Sequence, residues 1–238
     1  MKLNILAFGA HPDDVELSCS GTLISQINKG NTAGIIDLTR GELGSRGTAD
    51  IRDLEGEDAR KIIGATIREN LNLEDGFFRN DRETQIKVIS VIRKYQPEYI
   101  LCNATEDRHP DHGRACKLIE DSVFLSGLVK IETEENGTSQ KPWRPKMVLP
   151  YIQDRFINPD IVIDISDVWE QRMESIKAHR SQFYDPNSNE PETYIASKVF
   201  FEMIESRARE MGRSSGFKYA EGYTCGRMFG IKDLSQLY

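Results

Sequence analysis

Short apolar runs alternate with segments of helical period along most of this chain, and that alternation restricts the fold more than any other feature. Runs at 3–9, 33–38, 99–103, 146–152 and 161–165 have the length of buried strands, with a weaker one at 67–73. Between them, 17–29, 52–64, 81–95 and 113–126 carry apolar residues at helical spacing. Gly30 stands where a helix C-cap is expected, and Pro97 follows the end of another helix. The pattern predicts an α/β chain, a mostly parallel sheet with helices on both faces. Two further helices are expected at 168–179 and 194–211, separated by a long loop at 183–194. The polar stretch 130–145 reads as a surface loop. The glycine- and aromatic-rich segment from Gly216 onward reads as packed against the body.

The length of 238 residues suits one sizeable core, so 1–238 is expected to form a single domain. A formal charge of −7 argues against nucleic acid and anionic membrane surfaces as partners. No apolar run approaches the ~20 residues that cross a bilayer, and the first residues read as a strand rather than a signal peptide. Cys19, Cys102, Cys116 and Cys225 are widely separated and form no C-x-x-C pair. Reduced, mostly buried thiols of a cytoplasmic protein are expected.

In an open parallel sheet, ligands bind beyond the carboxyl ends of the strands, near the point where strand order reverses. The first strand ends in His11-Pro12-Asp13-Asp14, where a nucleotide-binding protein would carry a G-x-G-x-x-G turn. The strand at 99–103 is followed by Asp107, Arg108, His109, Asp111 and His112. Two strand ends thus deliver three of the four histidines, each with carboxylates. Either motif alone is equally a capped helix start or a polar turn. Together they suit Zn²⁺, and Fe²⁺ or another divalent ion fits the same donors. His11, Asp14 and His112 would form a three-ligand set. Asp13 would stay unligated beside it, free to take a proton from water whose pKa the ion lowers to ~7.

The segments AHPDDVE at 10–16 and RHPDHGRA at 108–115 resemble the LmbE-like (PIG-L-type) zinc N-deacetylases. DLTRGELGSRGTADIR at 37–52, SQF at 181–183 and YAEGY at 219–223 are similar to the bacillithiol-biosynthesis branch, which acts on N-acetylglucosaminyl-malate. The resemblance implies a Rossmann-like three-layer fold, a metal held by His11, Asp14 and His112, and Asp13 as general base. It also implies that His109 is electrophile or general acid, with Asp111 orienting it and raising its pKa. A homo-oligomer, trimer or hexamer, is implied on the same footing.

For substrate binding, Arg52 is the first candidate to grip a carboxylate and Arg108 the second, with Arg46 a weaker one. Tyr194 is a candidate to reach the site from the long loop. Glu16 reads equally as a helix-start carboxylate or as support for the metal ligands, His179 as structural, and Gly41, Gly44 and Gly47 as a rim loop. The expected reaction is removal of acetyl from an N-acetylglucosamine conjugate, a small molecule. Its rivals are a related conjugate or chitooligosaccharide as substrate, and a non-catalytic metal- or nucleotide-binding protein.

Overall fold

Strand β1 (Ile5–Gly9) is buried along its whole length, and its side chains alternate between two cores. Ile5 and Ala7 face one and Leu6 and Phe8 the other, as the two-residue period of a strand dictates. The computed structural model describes residues 1–183 and 190–236, so the middle of the loop expected at 183–194 lies outside the described residues.

Helices α1 (Asp14–Ser18) and α2 (Ser20–Asn28) follow β1, and β2 (Ala33–Asp37) and α3 (Ala49–Ile63) come next. Then come β3 (Ile67–Asn70), α4 (Arg82–Tyr95), β4 (Tyr99–Cys102) and α5 (Pro110–Ser126). A small hairpin, β5 (Glu134–Glu135) and β6 (Thr138–Ser139), precedes β7 (Met147–Pro150). The chain closes with β8 (Ile161–Asp164), α6 (Trp169–Lys177), α7 (Lys198–Arg213) and β9 (Ala220–Tyr223). The main sheet is wholly parallel, in the order β3-β2-β1-β4-β7. Helices α4 and α5 cover the face that carries Leu6 and Phe8, through Val88, Ile92 and Ile119. The other face is covered by α2, α6 and α7, through Leu23, Ile24, Ile176, Phe200 and Ile204. This is the expected three-layer α/β sandwich, with the order reversing between β1 and β4.

The local stops and starts have sequence causes. Thr48 caps α3 by accepting the Ile51 N–H at 3.3 Å, and Gly64 ends it at φ 82°. Asp81 and Thr84 form a reciprocal capping box at the start of α4. Helix α5 begins three residues earlier than the apolar period indicates, because His-Pro-Asp-His is itself its first turn. Pro110 occupies the first helical position, where its missing N–H costs nothing.

Other departures come from distant residues. The single helix expected at 17–29 starts at Asp14 and is interrupted at Cys19. Glu221, from β9, accepts the Gly21 and Thr22 N–H groups at 3.0 and 2.7 Å and so caps α2 from across the molecule. Strand β8 joins no parallel neighbour but pairs antiparallel with β9, which the sequence indicates only as a packed segment. The polar stretch expected as a loop contains the β5–β6 hairpin. Among the described residues no helix is long and apolar enough to cross a membrane.

Candidate functional site

Beyond the carboxyl ends of β1 and β4, one hydrogen bond locks the two strand exits together: the Ala10 N–H donates to Asn103 Oδ1 at 2.9 Å. The chain then turns at His11-Pro12-Asp13-Asp14. Asp14 is buried and fully engaged. It accepts the His11 N–H at 2.9 Å, Asn103 Nδ2 at 3.0 Å and Gln153 Nε2 at 3.0 Å. His112 reaches it from the first turn of α5, Nε2 lying 3.1 Å from Asp14 Oδ1, and His11 Nδ1 is 3.6 Å from Asp14 Oδ2.

The far nitrogens of these imidazoles also have carboxylate partners. His112 Nδ1 is 2.5 Å from Asp107 Oδ2, and His11 Nε2 is 3.2 Å from Asp75 and 3.4 Å from Asp111. His109 packs edge-on against His11, ring centroids 4.6 Å apart. One nitrogen from each of His11, His109 and His112 lies within 4.8 Å of the others, as do donor atoms of His11, Asp75 and Asp111. Imidazoles and a carboxylate in contact, with a second carboxylate behind each ring, are a donor set that fits a divalent transition metal.

The electrostatics agree with a cation site. Burial disfavours charge on Asp14, yet His112 and His11 hold its carboxyl well below the usual range. Burial also disfavours a charged His112, but Asp14 and Asp107 outweigh it and raise the pKa to about 9. A cation would replace these protons, so acid should compete with it.

Asp13 is built differently from Asp14. Its φ is 145°, a conformation that costs a non-glycine residue about 1–3 kcal/mol and concentrates at functional sites. Its carboxylate has a cation behind it, Arg52 Nη2 at 3.3 Å, and burial raises its pKa against that opposing charge. Arg52 also donates to Pro12 O at 2.9 Å and Gly41 O at 3.1 Å. Only glycine permits this approach, since a Cβ at Gly41 would lie 1.9 Å from the guanidinium. A cavity of about 330 Å³ opens over the cluster, walled partly by Phe200, Ile204 and Met211 of α7.

The profile of the PIG-L family, described as GlcNAc-PI de-N-acetylase, matches residues 6–123, which span both strand ends. The crystal structure of the conserved protein TT1542 from Thermus thermophilus superposes with a TM-score of 0.85. It is 31% identical and covers 97% of this chain and 98% of its own. The chain belongs to the PIG-L family.

Its relatives include the diacetylchitobiose deacetylase of Thermococcus kodakarensis, 27% identical over 92% of this chain and 81% of that protein. They also include the 4-oxalmesaconate hydratase of Pseudomonas putida, 23% identical over 74% of this chain and 73% of that protein.

Against this PIG-L site, two sequence-based roles change. Arg52 lines the cavity but is turned onto Asp13, Pro12 and Gly41, with its side chain 6% exposed, so it supports Asp13 from the cavity wall. Asp111 does not orient His109 through its carboxylate, which meets Arg114 at 2.5 Å, the Gly76 N–H at 2.9 Å and His11. It is the Asp111 backbone N–H that donates to His109 Nδ1, at 3.3 Å. That bond leaves the proton of a neutral His109 on Nε2. Burial and the neighbouring His11 and His112 charges lower the pKa of His109, and the opposing pull of Asp111 does not reverse it.

The remaining candidates lie on or behind the cavity. Arg108 is half exposed, its Nε 3.2 Å from Asp154 and its guanidinium 4.5 Å from the Tyr194 ring. Tyr194 donates its hydroxyl to the same Asp154 at 3.0 Å, and both residues line the cavity. Arg46 ties the rim loop to Ser181 O and Pro191 O, each at 2.7 Å. Glu16 is fully buried on Arg68 at 2.6 Å, which holds its pKa near 2 against burial, and His179 lies behind it at 3.4 Å. Asp107, Asp75, Asn103 and Gln153 had no sequence-based role. The D-x₄-H spacing of Asp107 and His112, and the position of Asp75 past the end of β3, are the signals that could have found the first two.

Proposed function

We propose that the protein hydrolyses the acetamide of an N-acetylglucosamine conjugate, releasing acetate and a free amino sugar, with N-acetylglucosaminyl-malate as its substrate. The observation that carries the reaction is the contrast between two adjacent aspartates. Asp14 is consumed by two imidazoles and two amides, while Asp13 faces the cavity on a strained backbone with a raised pKa. In this reading His11, Asp14 and His112 hold a divalent ion, Zn²⁺ being the best fit to the donors. The ion supplies Lewis-acid polarisation of the carbonyl and lowers the pKa of water.

Asp13 takes a proton from water as its oxygen attacks the acetamide carbon. Arg52 keeps the Asp13 carboxylate in one orientation. His109, neutral with its proton on Nε2, donates that N–H to the developing oxyanion, and Asp13 passes the proton it took to the amide nitrogen as the C–N bond breaks. Acetate leaves with the water oxygen, and the nitrogen leaves as an amine.

The malate half of the substrate rests on the similarity of 37–52, 181–183 and 219–223 to the bacillithiol branch. With Arg52 engaged on Asp13, Arg108 becomes the first candidate for a malate carboxylate, held at the cavity edge over Tyr194. A charge-assisted contact contributes ~1.5–3 kcal/mol, or roughly ten- to a hundred-fold in kcat/KM. N-acetylglucosaminyl-malate is therefore expected to be deacetylated at least ~10-fold faster than an uncharged N-acetylglucosamine glycoside, with Arg108→Ala erasing most of that preference. Equal kcat/KM on both substrates in the wild type would remove malate while leaving deacetylation standing. Release of acetate separates either outcome from hydration, the activity named for the 4-oxalmesaconate hydratase relative.

A further inference from the structure

Asp75 is buried beside His11, and no step of the hydrolysis uses it. Its two oxygens serve different parts of the site. Oδ1 lies 3.2 Å from His11 Nε2, while Oδ2 accepts the Leu43 N–H at 2.9 Å. The Asp75 N–H donates to Glu42 Oε1 at 3.0 Å. One residue thus touches an imidazole of the metal cluster and, through its other polar atoms, the loop 41–47 at the cavity rim. Asp111 approaches the same His11 nitrogen at 3.4 Å, but Arg114 and the Gly76 N–H already meet its charge. Among the described residues, His11 is the only ion-pair partner of Asp75.

We infer that Asp75 is a positioning residue that fixes the His11 ring for metal and makes the seating of the 41–47 loop depend on it. An imidazole that ligates through one nitrogen carries its proton on the other, and a carboxylate receiving that proton fixes tautomer and ring orientation and strengthens the donor. With Nε2–H given to Asp75, Nδ1 is the nitrogen left facing Asp14. The same carboxylate anchors Leu43, so loss of the His11 contact loosens the rim loop, and loss of the loop contact loosens the ring. The inference rests on His11 being a metal ligand.

The test uses the full chain as wild type, Asp75→Ala, Asp75→Asn and His11→Ala. Zinc affinity is read by competition with a chelator, ligand geometry from the visible spectrum of the Co²⁺-loaded proteins, and loop order from amide hydrogen exchange. Asp75→Ala is expected to bind Zn²⁺ about 10- to 100-fold more weakly, the usual effect of removing such a partner. Its Co²⁺ spectrum should shift, and exchange over 41–47 should quicken. Asp75→Asn, which keeps one acceptor, should lose less. Stripping metal from the wild type should quicken the same amides. Zinc affinity within about two-fold of wild type in both Asp75 variants overturns the inference, since it lies below the range for a supporting partner. So does an unchanged Co²⁺ spectrum together with a lowered melting temperature of the metal-free protein, which is the pattern of a merely structural residue. Wild-type affinity in His11→Ala would instead sink the ligand assignment.

Discussion

Asp13→Asn is expected to lower turnover by roughly 10²–10⁴-fold, the usual contribution of a positioned acid–base group, while metal content and fold are kept. The substitution changes almost nothing else. Asparagine is nearly isosteric and is among the residues most tolerant of positive φ, so the 145° backbone angle gains no new strain. Arg52 loses one partner but keeps Pro12 O and Gly41 O. What disappears is the carboxylate that, in the proposed reaction, accepts the proton of the attacking water. Steady-state rates are to be compared with metal analysis and circular dichroism on the same preparation. Nearly full activity with full metal would show that another group is the base.

His112→Ala should act on the metal itself. Removing one imidazole leaves Asp14 and Asp107 facing a gap, each having lost its nearest cation or cation-like partner. Most of the metal should be lost on dialysis, and wild-type metal content afterwards would exclude His112 from the ligand set. The metal-free protein should also lose stability, because breaking a buried ion pair from one side costs about 3–5 kcal/mol. The sign of its pH dependence follows from the raised pKa of about 9, against 6.5 ordinarily. The stabilisation by charged His112 is fully present below the unfolded-state pKa and fades as pH rises through about 9. The melting-temperature gap between wild type and variant, both metal-free, should therefore be widest below pH 6.5 and close toward pH 9.

The positions of the two motifs were legible because strand period and the carboxyl-end rule are local and topological facts. Ile5 to Gly9 alternate cleanly, and β4 is the neighbour of β1, so both histidine-aspartate turns had to meet. Roles that depend on which way a long side chain turns were not legible. Arg52 lies on an exposed-looking helix start, yet Gly41 opens a path that lets it reach Asp13 from behind. Asp111 sits two residues from His109, but on the first turn of α5 their side chains diverge and Arg114, one turn on, captures the carboxylate. Contacts that span the chain were equally hidden: Glu221 capping α2, Gln153 holding Asp14, and Asp75 meeting His11. The first two have no local pattern to betray them, and Asp75 has only its place past the end of β3.

In the proposed reaction, release of acetate depends on the bound metal. The direct measurement incubates the full chain with an N-acetylglucosamine conjugate and quantifies acetate and free amine together, before and after chelator treatment and after Zn²⁺ is restored. Acetate and amine in equal amounts, lost on chelation and recovered with the metal, is the predicted result. No acetate from the metal-loaded protein, or a rate indifferent to chelation, would contradict it.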